Sequence, residues 1–274
     1  MTVIMERDGA GFSYLRSEEA RGIPIVLLHG IGSNAQSFEP LMRALAHPAI
    51  AWNAPGYGAS EPLAQEWPDA SDYAAALQRL LAHLQVTQCV LLGHSLGALV
   101  AARYAGLFPS QIAALFLISP ARGYRSLKGT PLPPPVAKRI EELDELGPEE
   151  FACKRAAGLL ADPAANVSVL RAVERAMAAV RRPGYDQAAR LLAGGRLIED
   201  AEKIEAPAAV IVACDDRITP PESGQSVFTA LQASSRRCAF KTIANAGHAV
   251  CQEKPAEVAQ FIAEFLGSEA HAYA

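Results

Sequence analysis

The chain has 274 residues, half of them hydrophobic and 20% charged, with a net charge of -4 and a mean hydropathy of +0.10. That size allows a large core in one domain with an insertion or in two domains, and the acidic balance excludes a nucleic-acid backbone as a favoured partner, leaving small neutral or weakly charged ligands. Five widely spaced cysteines form neither a disulfide framework nor a zinc motif, and no secretory signal or apolar run of about 18 residues is present, so a cytoplasmic protein without membrane association is expected.

Val3 to Glu6 and Phe12 to Arg16, separated by Asp8-Gly9-Ala10-Gly11, predict an antiparallel hairpin at a sheet edge. Ile23 to Leu28 is a continuous apolar run, the mark of a strand buried on both faces of a parallel sheet, and it ends in His29-Gly30-Ile31-Gly32-Ser33-Asn34. Gln36 to Ala46 has helical spacing, Ala49 to Trp52 returns to strand, and Ser71 is the predicted N-cap of a helix running to about Leu84.

The strand from Gln88 breaks at Gly93-His94-Ser95-Leu96-Gly97 and resumes at once as a small-residue helix. This is the strand, tight turn and helix of a nucleophile elbow, with Ser95 at its apex. The glycines on either side relieve the collision between strand and helix, and the positive end of the helix dipole points where an oxyanion would form.

Ile112 to Ser119 is the next buried strand. From Ala121 to Lys203 the rhythm is helical, with patterns at Val136–Leu146, Glu149–Leu160, Val167–Val180 and Tyr185–Leu192 behind a proline-rich entry. This insertion holds 14 Lys+Arg against 12 Asp+Glu, a mildly basic unit on an acidic body. Ala208 to Ala213 is again a strand and ends in Cys214-Asp215-Asp216. A helix from Ser223 to Leu231, a last strand from Cys238 to Ile243, the turn Gly247-His248 and a helix from Pro255 to Leu266 follow, with the tail frayed. Strands alternating with helices predict an α/β fold with a mostly parallel central sheet flanked by helices.

A serine hydroxyl needs a base to remove its proton, and the base needs a third group to hold its tautomer. The chain supplies Ser95, Asp216 and His248 in that order, each just past the carboxyl end of a predicted strand, where open α/β sheets place their sites. Asp215 competes with Asp216 for the acid position.

With these four motifs in this order, the chain resembles the α/β-hydrolases over nearly its whole length. His29-Gly30-Ile31-Gly32 resembles their oxyanion loop, Gly93-His94-Ser95-Leu96-Gly97 their elbow, Asp216-Arg217-Ile218-Thr219-Pro220 their acid loop, and Gly247-His248 followed by Glu253-Lys254-Pro255 their histidine loop. The resemblance favours Asp216 over Asp215. It implies an oxyanion hole built from the backbone N–H groups of Ile31 and Leu96, a core of residues 1–120 and 204–274, and residues 121–203 as a helical cap over the site. It implies a small-molecule substrate, most directly an ester, lactone or thioester cleaved through an acyl-enzyme, with no cofactor and no metal.

Enol-lactonases and the carbon–carbon hydrolases of aromatic degradation share such a triad and cap. The latter usually carry Gly-Pro-Gly in the oxyanion loop and a Trp after the histidine, where this chain has Gly32-Ser33-Asn34 and Ala249. Non-catalytic ligand-binding members of the fold form a further alternative.

His29 and His94 are read as braces of their loops rather than metal ligands. His29, Gly30 and Trp67 are the candidates for substrate contact. Arg171, Arg175, Arg181 and Arg182 read as a solvated face, and one of them turned inward would favour a substrate carrying a carboxylate. Oligomeric state is left open.

Overall fold

The computed structural model describes residues 4–17 and 22–270. The start of the first predicted strand at Val3 and the tail beyond Ala270 lie outside them.

The elements in chain order are β1 (Ile4–Gly9), β2 (Phe12–Ser17), β3 (Ile25–Leu28), α1 (Glu39–Ala44), β4 (Ala49–Trp52), α2 (Ala70–His83), β5 (Cys89–His94) and α3 (Gly97–Leu107). Then come β6 (Ile112–Ile118), α4 (Pro134–Ala156), α5 (Val167–Ala178), α6 (Gly184–Gly194), α7 (Leu197–Ala201), β7 (Ala208–Ala213), α8 (Pro221–Leu231), β8 (Cys238–Ile243), α9 (Val250–Glu253) and α10 (Pro255–Ala270).

Among the described residues, eight strands form one sheet in the order β1-β2-β4-β3-β5-β6-β7-β8. β1 and β2 are antiparallel, as are β2 and β4, and every pairing from β4 through to β8 is parallel. The apolar runs read as doubly buried strands behave as such, because successive side chains point to opposite faces. Ile25, Leu27, Val90, Leu92, Ala209 and Ile211 join a core that Val258, Ile262 and Phe265 of α10 complete. Val26, Leu28, Leu91, Val210 and Val212 face the other way, into the core closed by α2, α3 and α8.

That second core does not stop at the sheet. Val136 and Phe151 of α4, Val173 and Met177 of α5 and Tyr185 of α6 belong to the same contiguous apolar cluster. The insertion is packed down on the body, not tethered to it. Gln187 of α6, buried, donates from Nε2 to the carbonyls of Leu63 (2.7 Å) and Gln65 (2.8 Å), fastening α6 to that loop.

Among the differences from the sequence reading, four bear on how the elements are placed. The N-cap of α2 is Asp69, not Ser71. Asp69 accepts from the N–H groups of Ser71 and Asp72, while Asp72 reaches back to the N–H of Asp69, a reciprocal box that Ser71 cannot make. The two predicted helices at 136–146 and 149–160 are one element broken at Gly147, whose φ of 71° only glycine adopts freely. α7 packs on α3 through an Arg103–Asp200 ion pair of 2.9 Å, so it flanks the sheet although it lies within the predicted cap segment. α10 continues past Leu266 to Ala270.

Candidate active site

The elbow follows from steric necessity. Ser95 has φ 53°, in the left-handed region, between β5 and α3. A Cβ at Gly97 would lie 2.1 Å from the carbonyl oxygen of Leu28, and one at Gly93 would lie 2.5 Å from the carbonyl oxygen of Gly97. Neither approach tolerates a side chain. The Ser95 N–H donates to Ile118 O at 2.9 Å, and the Ser95 carbonyl accepts from Ala98 N and Ala121 N, so both neighbouring segments hold the strained residue.

Asp216 and His248 leave the ends of β7 and β8 and meet directly. The Nδ1–H of His248 donates to Asp216 Oδ2 at 2.9 Å, and both residues are buried. Asp216 Oδ1 accepts from the N–H groups of Ile218 (2.8 Å) and Thr219 (2.9 Å), and the Thr219 hydroxyl lies 2.9 Å from Oδ2 and 3.0 Å from Ser119 O. Burial alone would raise the Asp216 carboxyl. The imidazole and the two amides overcome it and hold Asp216 well below the usual carboxylate range. With Nδ1 committed to Asp216, Nε2 is the nitrogen of His248 left for proton transfer.

Ser95, His248, Ile31 and Leu96 line one cavity of about 370 Å³. No hydrogen bond joins Ser95 to His248 among the described residues. Such a contact is often long before substrate binds. Among the described residues, the N–H groups of Ile31 and Leu96 have no partner and so remain available.

The histidine loop is itself anchored. His94 Nε2–H donates to His248 O at 2.8 Å. Burial, with His248 nearby, pushes the His94 imidazole down to about 3, which keeps it neutral. Glu253 grips two backbone amides, Gly247 N at 2.7 Å and Ala161 N at 3.0 Å, while Ala249 N donates to Leu159 O. The turn carrying His248 is therefore tied to the segment that follows α4.

The other candidates fall elsewhere. His29 donates from Nδ1 to Gly30 O (2.8 Å) and accepts from Ala54 N at Nε2 (3.0 Å), so both nitrogens are spent on backbone and neither reaches a substrate. Burial lowers its pKa to about 4. Gly30 serves by lacking a side chain, since a Cβ there would lie 2.9 Å from that of Ser95 and crowd the hydroxyl. Trp67 does not line the cavity; the guanidinium of Arg190 covers its ring at 5.6 Å.

Arg182 pairs with Asp144 and Asp186, Arg171 and Arg181 are exposed, and Arg175 lines a separate surface depression with Arg43. The arginines that do reach the Ser95 cavity are Arg122, Arg139 and Arg155. The sequence reading passed over these three, together with Thr219 and the role of Glu253.

A family model described as the alpha/beta hydrolase family matches residues 25–261. The chain belongs to that family. The chain is 29% identical over 254 residues (89% of its length) to the dihydrolipoyllysine-residue acetyltransferase component of an acetoin cleaving system from Pseudomonas putida, and the match spans 64% of that relative's length. It is 28% identical over 264 residues to the lipase LipV of Mycobacterium tuberculosis, covering 89% of this chain and 93% of that one. Among solved structures, the enol-lactonase from Burkholderia xenovorans superposes with a TM-score of 0.81 at 17% identity, covering 96% of this chain and all of its counterpart, a likeness of fold. Among the described residues, no helix is long and apolar enough to cross a membrane.

Proposed function

We propose that this hydrolase cleaves a small ester, lactone or thioester through an acyl-enzyme on Ser95. The observation that carries the reading is the 2.9 Å His248–Asp216 pair opening onto the same cavity as a serine held at φ 53°. Ser95 attacks the carbonyl, and His248 Nε2 accepts its proton and returns it to the leaving group. Asp216 fixes the tautomer and offsets the imidazolium. The unpaired N–H groups of Ile31 and Leu96 receive the developing oxyanion, where each donor contributes on the order of 3 kcal/mol to the transition state. Water activated by His248 then releases the acid.

Both relatives, an acetyltransferase component and a lipase, bear names from acyl chemistry, which agrees with this assignment. Within residues 121–203, the helices α4, α5 and α6 act as the cap that excludes water and selects the acyl group.

An aryl organophosphonate tests the reading. Stoichiometric labelling at Ser95, absent from Ser95→Ala, is the expected result; ligand binding without labelling or turnover marks a receptor instead. In a panel of short p-nitrophenyl esters, enol-lactones and a dienone ring-fission product, fastest turnover of the dienone would replace ester cleavage with carbon–carbon cleavage.

A further inference from the structure

We infer, on the reading of Ser95 as nucleophile, that the substrate carries an anionic oxygen group, a carboxylate or a phosphate, bound at the cavity wall by Arg139 together with Arg122. Among the described residues, three guanidinium groups and no carboxylate line this cavity, in a chain whose net charge is -4. A wall of one sign inside a concave, low-dielectric site focuses its field on the ligand.

The three cations are not equivalent. Arg155 and Lys154 both bind Glu142, a buried carboxylate, and the Arg155 guanidinium lies 5.2 Å over the Phe151 ring. Its charge is largely spent within the protein. Arg139 has no carboxylate within 4.0 Å among the described residues, and neither has Arg122. What Arg139 has beside it instead is the hydroxyl of buried Tyr185, a neutral group that leaves the guanidinium charge uncompensated. A half-buried guanidinium without a counter-ion is destabilising unless a ligand supplies one, and its planar fork matches a carboxylate or phosphate oxygen pair.

Ile31, Leu96, Leu159, Met177 and Leu192 supply the apolar part of the same lining. Cationic and apolar groups together fit a substrate with a short hydrocarbon segment between the scissile carbonyl and the anion.

Matched substrates test this. The kcat/KM of p-nitrophenyl butyrate and of the p-nitrophenyl monoester of glutarate is measured for wild type, Arg139→Gln, Arg139→Lys and Ser95→Ala. The wild type is expected to prefer the anionic ester. Arg139→Gln should cost that ester about tenfold more than it costs the neutral one, mainly through KM, with Arg139→Lys between the two. Inhibition by glutarate beyond that by inorganic phosphate assigns the group as a carboxylate, and the reverse assigns it as a phosphate.

Equal use of both esters by the wild type, or equal losses in Arg139→Gln, overturns the anionic subsite and leaves the acyl-enzyme reading standing. Hydrolysis that survives Ser95→Ala overturns the acyl-enzyme reading, while the Arg139 comparison still decides the subsite.

Discussion

Glu253→Gln probes how the histidine loop is held. In the wild type the two carboxylate oxygens accept from Gly247 N at 2.7 Å and Ala161 N at 3.0 Å. An amide keeps one acceptor and turns an NH₂ group toward the second N–H, so one charge-assisted bond is lost and a donor faces a donor. Losing a bond to a charged acceptor costs about 1.5–3 kcal/mol. In a chain of this size each kcal/mol lowers Tm by roughly 2–4 °C, which gives a drop of about 3–12 °C.

Gly247 directly precedes His248, so the displaced turn also misplaces the imidazole, and kcat should fall about tenfold or more with KM much less affected. Differential scanning calorimetry and steady-state kinetics on one ester read both effects. An unchanged Tm would refute the assigned hydrogen bonds. A lowered Tm with unchanged kcat would refute the coupling between this clamp and the base.

Two further outcomes follow from buried groups. His29 is held neutral with a pKa near 4, against 6.5 for an exposed imidazole, so between these values the unfolded chain binds the extra proton. Stability is full above pH 6.5 and falls with acidification by about 1.4 kcal/mol per pH unit for this group until pH 4. His94 adds a second such slope toward pH 3, and urea midpoints measured against pH should flatten in His29→Asn; an identical slope in that variant would refute the assignment. Gly97→Ala places a methyl 2.1 Å from Leu28 O, where only backbone can yield, so the variant should lose the elbow geometry and with it phosphonate labelling; full labelling at the native Tm would show that β3 and α3 separate at little cost.

The parts of the site that were legible in the sequence are those whose geometry is fixed within a few residues. Gly93, Ser95 and Gly97 announce the elbow because the turn admits nothing larger beside the serine. Asp216 and His248 are readable because each follows a strand, wholly apolar in β7 and mixed in β8, and a parallel sheet delivers such ends to one edge.

What stayed hidden depends on how helices roll against their neighbours. Arg139 and Arg155 look like any polar positions of a surface helix until the break at Gly147 and the burial of Val136 and Phe151 turn them to the cavity. The arginines of α5 and the 181–182 turn, read from sequence as a solvated face, are exposed, and two acids hold Arg182 outside the cavity. α7, with five residues, is too short for periodicity to register. Asp69 outcompetes Ser71 as a cap only because Asp72 reciprocates, a pattern met more often with Glu or Gln at that position.

The central claim is that Ser95 becomes acylated and that the His248–Asp216 pair drives the exchange. Mass spectrometry of the rapidly quenched enzyme during turnover of a p-nitrophenyl ester measures this most directly. The account predicts an acyl adduct confined to the peptide containing Ser95, formed orders of magnitude more slowly in Asp216→Asn. Turnover at the wild-type rate in Ser95→Ala, or an adduct on another residue, would contradict it.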